Sequence, residues 1–162
     1  MAEEADSNYH VIAKNRRARF DYEILETLEV GIILTGSEVK SLRQGKASIH
    51  ECFVGEMENE LYLFNANISE YAQAKHFSHE PRRPRKILLH RRQKDKFLGA
   101  IRRKGMTLVP MSLYFNHKGR IKLLVGLGKG KKTLDKRETI KQRDWERSRS
   151  RILRASNKGG DD

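Results

Sequence analysis

The chain has 162 residues, the length of one domain with a tail, and 37% of them are hydrophobic, which supports one modest core. Thirty-four lysines and arginines against 21 acids give a formal charge of +13 and point to nucleic acid before any other partner; a membrane surface would call for an amphipathic helix or lipidation signal, and neither is found. One cysteine, Cys52, excludes a disulfide framework and a cysteine-based zinc site. The acidic N-terminus is unlike a targeting peptide and no apolar run reaches spanning length, so a soluble protein of the reducing cytoplasm is expected.

Residues 1–8 are expected to form a disordered arm, and Asn15-Arg16-Arg17-Ala18-Arg19 is a basic knot before the first strand. From Tyr22 to Leu34 the even positions are apolar apart from Glu26, and Gly31 interrupts the run. This predicts two strands or one sharply bent one. A brief helix opens at Gly36 with Thr35 or Ser37 as N-cap, turns Val39 and Leu42 inward, leaves Lys40, Arg43 and Lys46 outside, and ends at Gly45. Residues 48–68 read as a hairpin, Cys52–Val54 answered by Leu61–Phe64 across an acidic turn that faces away from nucleic acid.

Between His76 and Lys86 the two prolines argue against helix and central strand alike, so Arg82, Arg83, Arg85 and Lys86 are expected on an exposed basic loop. Ile87–His90 leads into a helix to Lys104 with Phe97, Leu98 and Ile101 on one face, closed by Gly105. Two alternating runs flank Asn116–Gly119 and form a final hairpin from Val109 to Leu127. The pattern predicts a mainly β fold with short helices, a small antiparallel barrel of the oligonucleotide-binding type over residues 9–128; an open sheet carrying two helices is the alternative.

Residues 129–162 hold twelve cations and six anions, and form a basic C-terminal tail. Asp135 with Glu138 has capping-box spacing, and glycine and proline are absent from there to Gly159. At about 100° per residue Trp145 and Ile152 share a side, Ile140 points elsewhere, and arginines fill the remaining directions. A segment that buries no apolar area is disordered when free, because nothing offsets its ordering entropy, and becomes a helix among phosphates. Gly126-x-Gly128-x-Gly130-Lys131-Lys132 fails both the P-loop and the dinucleotide spacing and is expected to be a hinge into the tail, its lysines on a nucleic-acid backbone.

Catalytic and metal chemistry find little support. His76-x-x-His79 lacks a third ligand, and no serine or carboxylate pair stands in a catalytic context. No metal, no cofactor and no enzyme activity are expected, with a nuclease the most remote alternative. The cations recur as Arg16/Arg17/Arg19, Lys40/Arg43/Lys46, Arg82/Arg83/Arg85/Lys86, Arg91/Arg92 and the tail, and Tyr9, Phe20, Tyr22, Phe77 and Trp145 lie near them as candidate stacking rings. For Phe20 and Tyr22 a place in the core is an equal alternative.

Three blocks in this order and spacing are specific: Asn15–Ile24 followed by Gly36–Lys46, Pro84–Arg92, and Gly128–Lys132 with Asp135-Lys136-Arg137. From about Tyr9 to the end of the tail the chain resembles the SsrA-binding proteins (small protein B), bacterial partners of transfer-messenger RNA. The resemblance implies a barrel that cups the elbow of the tRNA-like domain and a role in trans-translation on stalled ribosomes. The tail would become helical in the empty mRNA channel beyond the decoding centre, against 16S rRNA, and elongation factor Tu would join on the charged RNA. It implies RNA contacts at Asn15, Glu29 and Leu89, with Glu29 a buried orienter or base-edge acceptor. Ribosome contacts are implied at Lys129, Gly130, Lys131, Lys132, Asp135, Lys136, Arg137, Trp145 and Ile152, beside Leu134, Ile140, Lys141, Arg143 and Arg151 of the same tail. Two positions depart from the pattern: Leu134 stands where a tyrosine or histidine is common, and Phe20 where histidine is. A general or ribosomal RNA-binding protein is the alternative function.

Overall fold

The computed structural model of the chain describes residues 10–74, 78–103, 105–131 and 133–158. They belong to two compact units, Met1–Gly130 and Lys131–Asp162. The expected N-terminal arm lies outside the described residues.

The first unit is built on strands β1 (His10–Lys14), β2 (Tyr22–Ile32), β3 (Ala47–Ser48), β4 (Phe53–Met57), β5 (Glu60–Phe64), β6 (Asn67–Ile68), β7 (Arg85–Leu88), β8 (Met106–Phe115) and β9 (Ile121–Gly130). Helices α1 (Ala18–Asp21), α2 (Gly36–Arg43) and α3 (Arg91–Ile101) stand between them. The hydrogen-bonded order β8-β4-β5-β7-β2-β9 closes where β9 pairs again with β8, so six antiparallel strands form a ring. Strand β1 joins β8 along His10–Lys14, while β4 meets β8 at the Val54–Leu108 pair. Strands β3 and β6 make a separate two-stranded sheet.

Alternation places one face of each strand inside the ring. Val30, Val54, Leu61, Leu63, Ile87, Leu108, Leu113, Leu123, Val125 and Leu127 are all buried, and Phe97, Leu98 and Ala100 of α3 join the same core with Leu42 of α2. Ala18, Val109 and Met111 form a second, smaller cluster with Tyr22, Ile24 and Leu124.

Helix α2 starts at a complete capping box. Thr35 Oγ1 accepts from the Glu38 N–H at 3.4 Å and Glu38 Oε1 accepts from the Thr35 N–H at 2.9 Å. Gly45 follows it with φ +70, the left-handed conformation a helix terminus demands. The inward side of α2 differs from the expectation: Glu38, Ser41 and Leu42 are buried, and Val39 is half-buried. A carboxylate displaces the valine because cations wait for it inside.

Four other expectations are corrected. Strand β2 runs unbroken through Gly31, because a Cβ there would lie 3.2 Å from the Leu88 Cβ and the bare glycine lets β7 close in; the irregularity lies between Ile24 and Glu26. Residues 85–88 are a strand between β5 and β2, since Pro81 and Pro84 precede it and remove no ladder donor. Helix α3 ends at Ile101 instead of Lys104, which lies outside the described residues. The glycine run is no hinge. Gly126 and Gly128 pair with Thr27 and Ile24 of β2, and added Cβ atoms would lie 2.8 Å from Met111 Sδ and 3.2 Å from Tyr22 Cβ.

The second unit carries α4 (Thr133–Lys158). It begins two residues ahead of the expected cap, so Asp135 falls within its first turn. Trp145 is 62% exposed and Ile152 69%. Good helix formers account for its conformation.

Candidate nucleic-acid interface

The first basic surface is set by the way β1 ends. The Asn15 N–H donates to the Met111 carbonyl at 2.8 Å and its side-chain amide to the Pro110 carbonyl at 3.2 Å, fixing the turn onto β8. Pro110 pairs with Val125 and borders the register shift of β8 before Ser112, a bulge position that tolerates proline. Helix α1 then drives Ala18 into the small cluster and leaves Arg16, Arg17 and Arg19 exposed around it. Arg17 lies 3.8 Å from Asp21 and 5.5 Å from the centre of the Phe20 ring. The antiparallel register sets Tyr22 opposite Gly130 and Glu23 opposite exposed Lys129, so both ends of the first unit's sequence supply this surface. A cavity of about 340 Å³ opens beside it, lined by Asn15, Arg17, Tyr22, His50, Phe53 and Pro110 among others.

The second surface is carried by α2. Lys40, Arg43 and Lys46 are exposed, and the Lys40 ammonium lies 5.6 Å from the centre of the Tyr71 ring. Arg82 is also exposed and donates to Asn65 Oδ1 at 3.2 Å. Beneath α2 lies a buried ion cluster. Both Glu38 and Arg85 are fully buried; the Arg85 Nε–H donates to Glu38 Oε2, and its two terminal nitrogens donate to the carbonyls of Ala66 at 2.8 Å and Pro81 at 3.0 Å. Arg83 donates to the other carboxylate oxygen through Nε at 3.0 Å. Burial pushes the Glu38 pKa up, but the hydrogen bonds from Arg83, the Thr35 N–H and Arg85 outweigh it and hold the carboxyl below its usual range.

This arrangement withdraws Arg85 from the predicted RNA contacts: a fully buried guanidinium with its donors on Glu38, Ala66 and Pro81 presents nothing to a phosphate. Arg83 is largely occupied by the same carboxylate, and Lys86 lies 4.0 Å from Glu60. Glu29 is exposed, where a buried orienter is expected, because it sits on the outer face of β2; it accepts from the Tyr114 hydroxyl. Leu89 is half-buried against the main core. His79 is buried, with Nδ1 on Ser37 Oγ at 2.9 Å and Nε2 on the Ile68 carbonyl at 2.8 Å, which leaves neither nitrogen for a metal. His76 lies outside the described residues, and among those described no group of three ligating side chains comes together.

Along α4, Arg137, Ile140, Lys141, Arg143, Trp145, Arg151 and Ile152 are exposed, and the Arg149 guanidinium lies 5.5 Å from the centre of the Trp145 ring. Lys131 is half-buried. Lys132 falls outside the described residues, as do the side chains of Leu134, Asp135 and Lys136. Sequence reasoning missed Glu38, the residue that fixes α2 to the 81–85 segment, because its partners Arg83 and Arg85 lie 45 and 47 positions away.

Residues 12–155 match the family model described as SmpB protein. The chain belongs to the SmpB family. It is 56% identical over 154 residues to the SsrA-binding protein of Methylobacterium nodulans, covering 95% of this chain and 98% of that one. To the SsrA-binding protein of Rhodopseudomonas palustris strain HaA2 it is 58% identical over 155 residues, covering 96% and 99%. A solved structure reported as "tmRNA-SmpB: a journey to the center of the bacterial ribosome" contains a chain 50% identical to it, aligned at a TM-score of 0.61 over 74% of this chain and 84% of that one. The SmpB match spans both the ring of strands and α4.

Proposed function

We propose that this protein is a non-enzymatic RNA-binding adaptor of trans-translation, which binds the tRNA-like domain of transfer-messenger RNA and delivers it to stalled ribosomes in the cytoplasm. The observation that carries it is an SmpB match running from residue 12 to 155, through the ring of strands and the tail together. The exposed cations around α1 and α2 suit an A-form backbone, whose narrow major groove gives side chains little sequence to read, so shape and phosphate contacts dominate. Asn15, Glu29 and Leu89 would mark the RNA-facing positions of the first unit.

The tail would act separately. Free of partners it would be disordered, since Trp145 is 62% exposed and Ile152 69%, and ordering entropy needs buried area to offset it. Phosphates of 16S rRNA lining an mRNA channel without message would order the tail beyond Gly130 and dock Trp145 and Ile152. Leu134 would make an apolar contact where relatives place a ring, and elongation factor Tu would accompany the charged RNA.

Truncation before Lys132 tests the division of labour. RNA affinity should survive while tagging of nascent chains and ribosome release are lost. An equal loss of RNA affinity would favour a general RNA-binding protein without the rescue role.

A further inference from the structure

The outer face of the β4–β5 hairpin carries three rings that belong to neither core cluster. Phe53 and Phe64 are register partners whose rings stack with centroids 5.2 Å apart and planes 20° apart. Tyr62 follows Phe64 on the same face, its centroid 6.2 Å away. Gly55 lies opposite Tyr62, and a Cβ there would stand 3.1 Å from the Phe64 ring, so the glycine lets that ring lie flat across the strand. Phe53 is 53% exposed. Leaving such a ring in water is unfavourable, and three in sequence on one face signal an occupant.

The border carries both signs: Lys86 of β7, the register partner of Tyr62, lies 4.0 Å from Glu60 at the turn end of the strip, while at the other end exposed Arg82 is held by the neutral Asn65, the residue after Phe64. Phe53 also lines the cavity beside Asn15 and Arg17, so the strip is continuous with the first basic surface. Two near-coplanar rings, a third tilted 41° beside them and Arg82 at one margin match the π-faces and phosphates of unpaired nucleotides.

We propose that Phe53, Phe64 and Tyr62 form a stacking platform for about two or three unpaired nucleotides of a bound RNA, with Arg82 on their phosphates. The platform rests on the RNA-binding function above and extends it from duplex shape to single-stranded bases.

The test uses the full chain and a short single-stranded RNA carrying 2-aminopurine, beside a blunt-ended RNA duplex and the tRNA-like domain. Binding should quench 2-aminopurine. Phe53→Leu with Phe64→Leu should weaken the single strand roughly five- to 150-fold for each stacked base, and leave the duplex within about twofold, because the tail and arginines contribute equally to both proteins. Phe53→Tyr should keep wild-type affinity. If the leucine variant does not fold, photocrosslinks of the same RNA to wild type decide: peptides containing Phe53 or Tyr62 support the platform, and crosslinks confined to other segments overturn it. Unchanged single-strand affinity in a folded leucine variant also overturns it, including the case where the variant instead loses a protein partner. If wild type binds the tRNA-like domain while the leucine variant loses nothing, the platform fails and the adaptor function stands. If wild type ignores the tRNA-like domain while the variant loses single-strand affinity, the adaptor function fails and the platform stands.

Discussion

Replacing Glu38 with glutamine removes the anion on which two guanidinium groups converge. The substitution keeps the size of the side chain and one acceptor for the Thr35 N–H, but the new amide faces donors with donors. Arg85, at 0% side-chain exposure, is left a buried cation with only the Ala66 and Pro81 carbonyls. Breaking a buried pair from one side costs about 3–5 kcal/mol, against about 0–1 kcal/mol for an exposed pair. A small protein with a urea m-value near 2 kcal/mol/M would therefore lose about 2 M from its unfolding midpoint. The control is Glu38→Leu with Arg85→Met, which removes both charges; it should recover about half of the loss or more, since well-packed apolar replacement of a buried pair is often neutral.

The pH dependence carries the same information with a fixed sign. Glu38 has a folded pKa below its ordinary value of 4.5, so the unfolded chain binds its proton more readily. Its stabilisation is complete above about pH 5, falls as the pH drops through 4.5, and is gone below the folded value. Urea midpoints measured from about pH 7 to about pH 3 should drop less steeply in Glu38→Gln than in wild type. A loss under about 1 kcal/mol with an unchanged acid limb would refute the assignment of the pair as a buried tie.

Gly126→Ala should destabilise the ring of strands by about 1–3 kcal/mol, because the new Cβ collides with Met111 and Ile24; a neutral or stabilising effect in thermal unfolding would restore the hinge. Cys52 donates to the Ile49 carbonyl at 3.0 Å and burial pushes its thiol pKa up to about 12. At pH 8 about one molecule in 10⁴ holds the thiolate, so a thiol-reactive dye should label the native protein far more slowly than the urea-unfolded one, and rapid native labelling would contradict that burial. Arg16→Ala with Arg17→Ala should lower the magnitude of the slope of log K against log salt for RNA binding by about one to two. An unchanged slope would mean that these exposed arginines touch no phosphate.

Local rules made much of the fold legible. The β8–β9 hairpin follows from two alternating runs around Asn116, whose Oδ1 accepts from the N–H groups of Lys118 and Arg120 at 3.0 and 2.9 Å, and α2 follows from Thr35 and Gly45. What escaped was contact between distant segments. Glu38 and Arg85 are 47 positions apart, and each by itself reads as a surface charge. The glycines of β9 read as flexible because nothing near them in the chain names Ile24, Met111 or Tyr22 as their neighbours. Helix α1, four residues long, lies below the span over which a 3.6-residue period is detectable. Of the candidate site, the cations of α1 and α2 were legible as charge, whereas the loss of Arg85 to the interior was not.

The acids explain why a charge of +13 is not spread evenly. Glu56 takes Arg102 at 2.6 Å, Glu60 takes Lys94 at 3.2 Å, Glu26 takes Lys96 at 2.7 Å, and Glu38 takes Arg83 and Arg85. The hydrogen bond from Arg102 even holds Glu56, on the acidic hairpin, below its ordinary carboxylate range. These pairs draw cations of α3 and the 83–85 segment out of the field that a polyanion meets, and they add little stability where they are exposed. Arg16, Arg17, Lys40, Arg43, Lys46 and Lys129 stay at the surface. Pairing these cations leaves those around α1 and α2 to dominate the potential, a field that would steer an approaching polyanion before any contact is made.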